Sequence, residues 1–274
     1  MLRISRFFTS NRTTAITLAC LTMTAFPAFA GPPLATDDAG TVDVGKVEVE
    51  LNGAYTADRE RTHGITTKCN TSDAEMKVTT GFYKNLGISV AIPYTISDRI
   101  REDNRLVGKT DGFGDMTVEV KYAFLELAGT TFAIKPVIII PTGKYSAGLS
   151  EGRWQLGGTL IATKEFNEGK YALHANLGYE HHSYRTEAIR ATTRGDFWSG
   201  SIAGEMEVAK GMFAVADFGL ATTADKSISE PCAYALTGAR YQLNDHLDVN
   251  AGIKFGLTRP EADVTALYGV VLKF

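Results

Sequence analysis

Apolar and polar residues take turns along most of this chain. In "KVEVELNGAY", Val47, Val49, Leu51, Gly53 and Tyr55 share one side, and Glu48, Glu50 and Asn52 share the other. "EMKVTTGF" sets Met76, Val78 and Phe82 against Glu75, Lys77 and Thr79. "DMTVEVKYAF" sets Met116, Val118, Val120, Tyr122 and Phe124 against Asp115, Thr117, Glu119, Lys121 and Ala123. A period of two is that of a β-strand with unlike faces. No stretch of comparable length keeps the 3.6-residue period of a helix. The pattern predicts about twelve strands, near residues 46–56, 74–84, 86–97, 114–126, 131–141, 154–166, 170–182, 196–208, 211–222, 231–243, 246–257 and 262–274. Each is close to the length that crosses a bilayer as a tilted strand. The fifth is apolar on both faces, and the ninth alternates least.

The connections alternate too. "KN" at 84–85, "NEGK" at 167–170, "AKG" at 209–211 and "ND" at 244–245 are tight, whereas 57–73, 98–113, 142–153 and 183–195 read as long loops. Aromatic residues end the apolar faces: Tyr55, Tyr94, Trp154, Tyr179 and Trp198 at one rim, and Phe82, Phe124, Phe132, Phe166, Tyr171, Tyr241 and Phe274 at the other. Short turns on one side, long loops on the other and two aromatic girdles describe an all-β, up-and-down antiparallel transmembrane β-barrel. Unpaired strand edges are excluded in lipid, so the last strand must pair with the first. An even strand number puts both termini at one rim, expected to be periplasmic. The closing residues Tyr268, Val270, Leu272 and Phe274 then face lipid and form an assembly signal. A secreted β-sandwich also alternates, but it explains neither the girdles nor the loop asymmetry.

Composition fits this picture. The chain is 44% hydrophobic and 22% charged, so it lacks the long apolar runs of a helical membrane protein. Arg3, Arg6 and Arg12, the mostly apolar stretch 13–26, and small residues at Ala28 and Ala30 have the form of a secretory signal peptide. The expected organisation is a signal peptide over 1–30, a periplasmic N-terminal lead over 31–45, and a barrel over 46–274. With only about fifteen residues before the first strand, no plug domain is expected. Asp37 and Asp38 in that lead read as a turn. Loss of 1–30 removes three arginines and leaves 25 basic against 31 acidic residues, which gives no reason to expect a nucleic-acid partner.

Several stretches together resemble one family: "PPLATDDAGTVDVGKVEVELNGAY" at 32–55, "DGFGDMTVEVKYAF" at 111–124, "KPVIIIPTGKYSAGLSEGRWQLGG" at 135–158, "LHANLGY" at 173–179 and "LDVNAGIKFGLTRPEADVTALYGVVLKF" at 247–274. They are similar to the outer-membrane proteins of the MetA-pathway of phenol degradation family. The resemblance implies uptake of small organic or aromatic compounds, with no catalytic or ligand-binding motif to carry across.

The polar face supplies the candidate pore lining: Glu48, Glu50, Glu75, Lys77, Glu119, Lys121, Lys135, His174, Glu205, Asp217, Arg240 and Lys254. Strand neighbours set Glu48 and Glu50 near Lys77, and Glu119 and Lys121 near Lys135. Opposite charges are expected to pair inside a low-dielectric wall. Twelve strands lie between a filled eight-stranded barrel and a wide porin. The expected function is passive diffusion of small organic solutes through a narrow polar lumen in the outer membrane. Expected partners are outer-membrane lipid, the barrel-assembly machinery and those solutes; the oligomeric state stays open. Two alternatives are a structural barrel with a closed lumen, and a lipid hydrolase using an outward-facing His181/Ser183 pair in "YEHHSY". A serine nucleophile needs a base and an orienting group, and no third member is evident in the sequence. Adjacent histidines point to opposite strand faces, so no metal site is expected, and no cofactor. Export would allow a disulfide between Cys69 and Cys232, both on the long-loop side.

Overall fold

The computed structural model describes residues 33–62 and 64–274, and the expected signal peptide lies outside them. Thirteen strands follow in order: β1 Val47–Thr62, β2 Ile65–Tyr83, β3 Leu86–Glu102, β4 Arg105–Phe113, β5 Met116–Leu127, β6 Thr130–Ile140, β7 Gln155–Phe166, β8 Tyr171–His181, β9 Asp196–Ala209, β10 Met212–Ala221, β11 Cys232–Asn244, β12 Leu247–Gly256 and β13 Val264–Lys273. All pairings between them are antiparallel, and the β2–β3 and β1–β13 ladders close the sheet on itself. β4 pairs with the outer part of β3, and β5 with its Leu86–Ala91 part. The two therefore share one wall position, broken at Gly114 and Asp115, and the barrel wall has twelve positions. The break is satisfied locally: the Gly114 amide donates to the Pro93 carbonyl at 3.0 Å. The Met116 amide donates to Thr142 Oγ1 at 2.9 Å.

The terminal residue is paired as the closure argument requires. The Phe274 amide donates to the Val47 carbonyl at 2.8 Å, and the Val47 amide donates back at 3.2 Å. The Phe274 ring is 64% exposed on the outer wall, in phase with Tyr268 at 54%. Tight turns at the same rim place Asn85 and Asn167 at positive φ, which asparagine tolerates better than most side chains.

Two expected loops are strands. Residues 57–73 and 98–113 form long β-hairpins, β1–β2 and β3–β4, standing beyond the girdle. The outward face carries Arg59, Lys68, Arg99, Arg101 and Lys109 among Asn70, Leu106 and Asp111, and the inward face mixes Thr67, Thr71 and Asp98 with Cys69 and Ile100. With polar residues on both faces, the hydrophobic alternation that marks a strand is lost although the backbone continues. The other two long connections hold only a 3-10 turn at Tyr145–Ala147 and a short helix, α1 Glu187–Thr192.

The N-terminal lead also departs from expectation. It does not hang below the barrel but turns into it. The chain crosses the rim over Gly81, where a Cβ would stand 2.1 Å from the Asp43 carbonyl oxygen. Glycine is the residue that permits this approach. Pro33, Leu34, Thr36 and Asp37 are then among the most buried side chains described. The expectation of no plug domain did not foresee that the short lead itself enters the barrel. A plug needs no domain here, since seven residues, 33–39, reach the middle of the barrel.

Candidate functional site: the barrel lumen and the segment within it

Strand parity delivers a row of charges to the interior. Lys77 on β2 lies 4.0 Å from Glu50 on β1 and 3.3 Å from Glu119 on β5; Lys135 on β6 lies 3.6 Å from the same Glu119. Asp37, on the inserted segment, completes the row. Its Oδ2 accepts from Lys135 Nζ at 2.6 Å and its Oδ1 from Lys121 Nζ at 2.8 Å. The sequence Glu50, Lys77, Glu119, Lys135, Asp37, Lys121 alternates in sign, with three charges of each. A chain of this kind offsets the desolvation of each member only while every link is present. Burial opposes ionisation of Asp37, but Lys121, Lys135 and Lys77 outweigh it and hold the carboxyl well below the usual carboxylate range.

The opposite wall holds the segment through Asp217 on β10. Asp217 Oδ2 accepts from the Ala35 amide at 2.8 Å and the Thr36 amide at 2.7 Å, and its Oδ1 accepts from Thr36 Oγ1 at 2.8 Å. The Tyr234 hydroxyl donates to the same Oδ1 at 3.2 Å. On β7, Thr163 Oγ1 accepts from the Ala39 amide at 2.8 Å and lies 2.9 Å from His174 Nδ1. Leu34 packs with Ala203, Val215 and Leu236. Pro33 fits against Gly238 and Gly252; a Cβ at 252 would lie 3.0 Å from the Pro33 Cβ. Aspartates thus anchor the segment at both sides, one supplied by the segment and one by the wall.

The remaining candidates face inward in a second group. Arg240 bridges Glu205 at 3.2 Å and Asp248 at 3.5 Å, and Lys273 reaches Asp248 at 2.8 Å. His174 Nε2 lies 3.9 Å from Glu205. Lys254 pairs with Glu261 at 2.7 Å and stands over the Tyr234 ring. Glu48 and Glu75 share the inner face of β1 and β2 but make no ion pair with Lys77 within 4.0 Å among the described residues. Asp37, Asp248, Asn52 and Asn250 were not among the candidates, although alternation puts the last three on the polar face. The last two lean over Gly269 with buried amide atoms turned into the lumen. The "TDDAG" stretch was the available signal for Asp37.

Two other candidates are not brought together. His181 Nδ1 lies 2.9 Å from Asp196 Oδ1, which also accepts from the Tyr179 hydroxyl at 2.8 Å. Ser183 lies past the end of β8 and makes no hydrogen bond with His181 among the described residues. The expected disulfide is absent: Cys69 and Cys232 are free thiols. Cys69 is buried on β2 opposite Ile100, while Cys232 begins β11 and contacts the Pro260 carbonyl, so separate strands hold them. No cluster of metal-ligating side chains occurs among the described residues. On the outer wall Leu177, Trp198, Gly200, Ile202, Phe218 and Leu220 line an open-sided apolar depression of about 810 Å³.

Residues 52–274 match the family described as "Putative MetA-pathway of phenol degradation". No curated protein matches the chain by sequence. Among solved structures, an outer membrane channel from Pseudomonas putida F1 is 15% identical with a TM-score of 0.71, over 86% of this chain and 98% of that one. The NanC porin is 11% identical with a TM-score of 0.57, over 82% and 100%. The translocator domain of the autotransporter NalP from Neisseria meningitidis is 10% identical with a TM-score of 0.53, over 85% and 90%. At these identities the likeness concerns the fold, a closed antiparallel barrel of the outer-membrane type.

Proposed function

This chain belongs to the MetA-pathway of phenol degradation family, and on that footing we propose that it is an outer-membrane channel for small organic solutes, aromatic ones included. The supporting observation is the lumen: a polar interior occupied by a seven-residue segment held only through non-covalent contacts. The family's link to phenol degradation and the channel structure from P. putida F1 support the same reading. Residues 33–39 act as the gate. Solute passes when the segment leaves Asp217 and Asp37 leaves its lysines; the wall charges that remain line the path. The rim bearing both strand termini faces the periplasm, and the long hairpins face outward. On this reading the protein is not an enzyme: Asp196 orients the His181 ring, but Ser183 makes no hydrogen bond with it among the described residues.

Single-channel recording in a planar bilayer tests the proposal. Phenol-like solutes are expected to interrupt the current of the mature chain in a concentration-dependent way, while a sugar of similar size does not. Equal indifference to both would leave a structural barrel.

A further inference from the structure

The β1–β2 and β3–β4 hairpins carry a patch of cations on the face that continues the lipid-facing wall. In β1 the register with β2 runs without a shift from Val47 to Thr62, so Arg59 and Arg61 stand in phase with Leu51 and Tyr55. Arg59 is opposite Lys68 on β2, and Lys68 is opposite Arg101 on β3. One pair nearer the girdle, Arg99 is opposite Asn70 on one side and Lys109 of β4 on the other. Six cations therefore share one outward surface across four strands, although the whole chain has a net charge of −3.

Like charges directly opposite one another on a sheet are destabilising. None of the six forms an ion pair among the described residues; Lys68 donates instead to Asn104 Oδ1 at 3.0 Å. The hairpins also carry acids, but Asp58, Glu60, Asp98 and Glu102 alternate to the inner face. Asp111 shares the outward face of β4, and Asp263 accepts from the Arg59 backbone amide at 3.0 Å rather than from its guanidinium. Height is the second argument. Arg99 and Lys109 are level with Ala57, two residues beyond Tyr55, or roughly 7 Å along the strand. That distance lies within the headgroup layer next to an aromatic girdle. Arg59, Lys68 and Arg101 lie two residues further out, and their long side chains can bend back to the same layer.

We infer that this face binds the phosphate groups of the anionic lipid in the outer leaflet, lipopolysaccharide in an envelope of this type. The inference rests on the reading that the hairpin rim faces outward. The phosphates would supply the negative charge that the cross-strand cation pairs lack, and they would fix the two hairpins against the membrane surface.

The test uses the full mature chain in detergent, with retained lipid measured by native mass spectrometry. The expected result is preferential, salt-sensitive retention of bisphosphorylated lipid A over phosphatidylcholine. With about 1 kcal/mol per cation near an anionic surface, the Lys68→Gln, Arg99→Gln, Arg101→Gln variant should bind roughly a hundred-fold more weakly. A charge-keeping variant, Lys68→Arg, Arg99→Lys and Arg101→Lys, should retain most binding, and Lys164→Gln on the outer wall near the opposite rim should change nothing. Heat-modified gel migration checks that each barrel is folded. Unchanged lipid A retention in the glutamine variant overturns the inference, as does equal uptake of phosphatidylcholine. Displacement of lipid A by inorganic phosphate at matched concentration would instead mark a free-anion site and would also overturn it. Channel current is read separately: its absence in the unmutated protein would remove the transport reading while leaving the lipid result to stand.

Discussion

Asp37 divides its two carboxylate oxygens between two ammonium groups on neighbouring strands and is 1% exposed. Its removal leaves Lys121 without its carboxylate, and loss of one partner from a buried ion pair costs about 3–5 kcal/mol. In Asp37→Ala the segment should loosen before the barrel does. Hydrogen exchange at the Ala35 and Thr36 amides is the check, with an acceleration of at least roughly a hundred-fold expected. The sign of the pH dependence follows from the depressed carboxyl. Stability from this group is present above the unfolded carboxylate range and is lost only as pH falls through the lower folded value. The segment should therefore stay in place from pH 8 to about 5, and exchange at those amides, corrected for intrinsic rate, should be flat across that window. Strand parity exposed the inward charges on β1, β2, β5 and β6 because each is decided by its immediate neighbours. It could not expose Asp37, whose lysines lie 84 and 98 residues away and whose segment has no strand pattern.

At the scale of elements, the inserted segment needs a wall with room for it. Gly252 gives Pro33 that room, and a branched side chain there would meet the proline ring. Gly252→Val should push Pro33 aside while leaving β12 paired, and its channel current should exceed that of the unmutated chain. The loop over 142–153 is a separate unit with its own pH behaviour. Glu151 is pushed up by burial, only partly countered by His182. A carboxyl raised in the folded state favours the folded loop at acid pH, and that contribution fades as pH rises through its folded value. Amide protection in this loop should fall from acid to neutral pH, and Glu151→Gln should flatten the profile. Most strand bounds were legible within a few residues, since each spanning strand has one wet and one oily face. The hairpins beyond the girdle were not, because Arg59, Lys68 and Arg99 face outward where the pattern looked for apolar residues. The cysteines belong to the same gap: Cys69 sits on a strand that the sequence presented as a loop. Alkylation without reduction should label both thiols, Cys232 faster than the buried Cys69.

For the whole molecule, the fold and the gate have different origins. The barrel comes from alternation repeated along twelve wall positions and closed by β1 against β13. The gate comes from seven residues that precede the alternation and borrow their stability from the interior. The wall can therefore remain intact while the segment moves, which separates opening from unfolding. The most direct measurement is single-channel current from the mature chain beside a variant lacking both anchors, Asp37→Ala with Asp217→Ala. The unmutated chain should pass only a small current and the variant a several-fold larger one through a barrel of unchanged heat-modified migration. Equal currents from two folded barrels would contradict a lumen closed by residues 33–39.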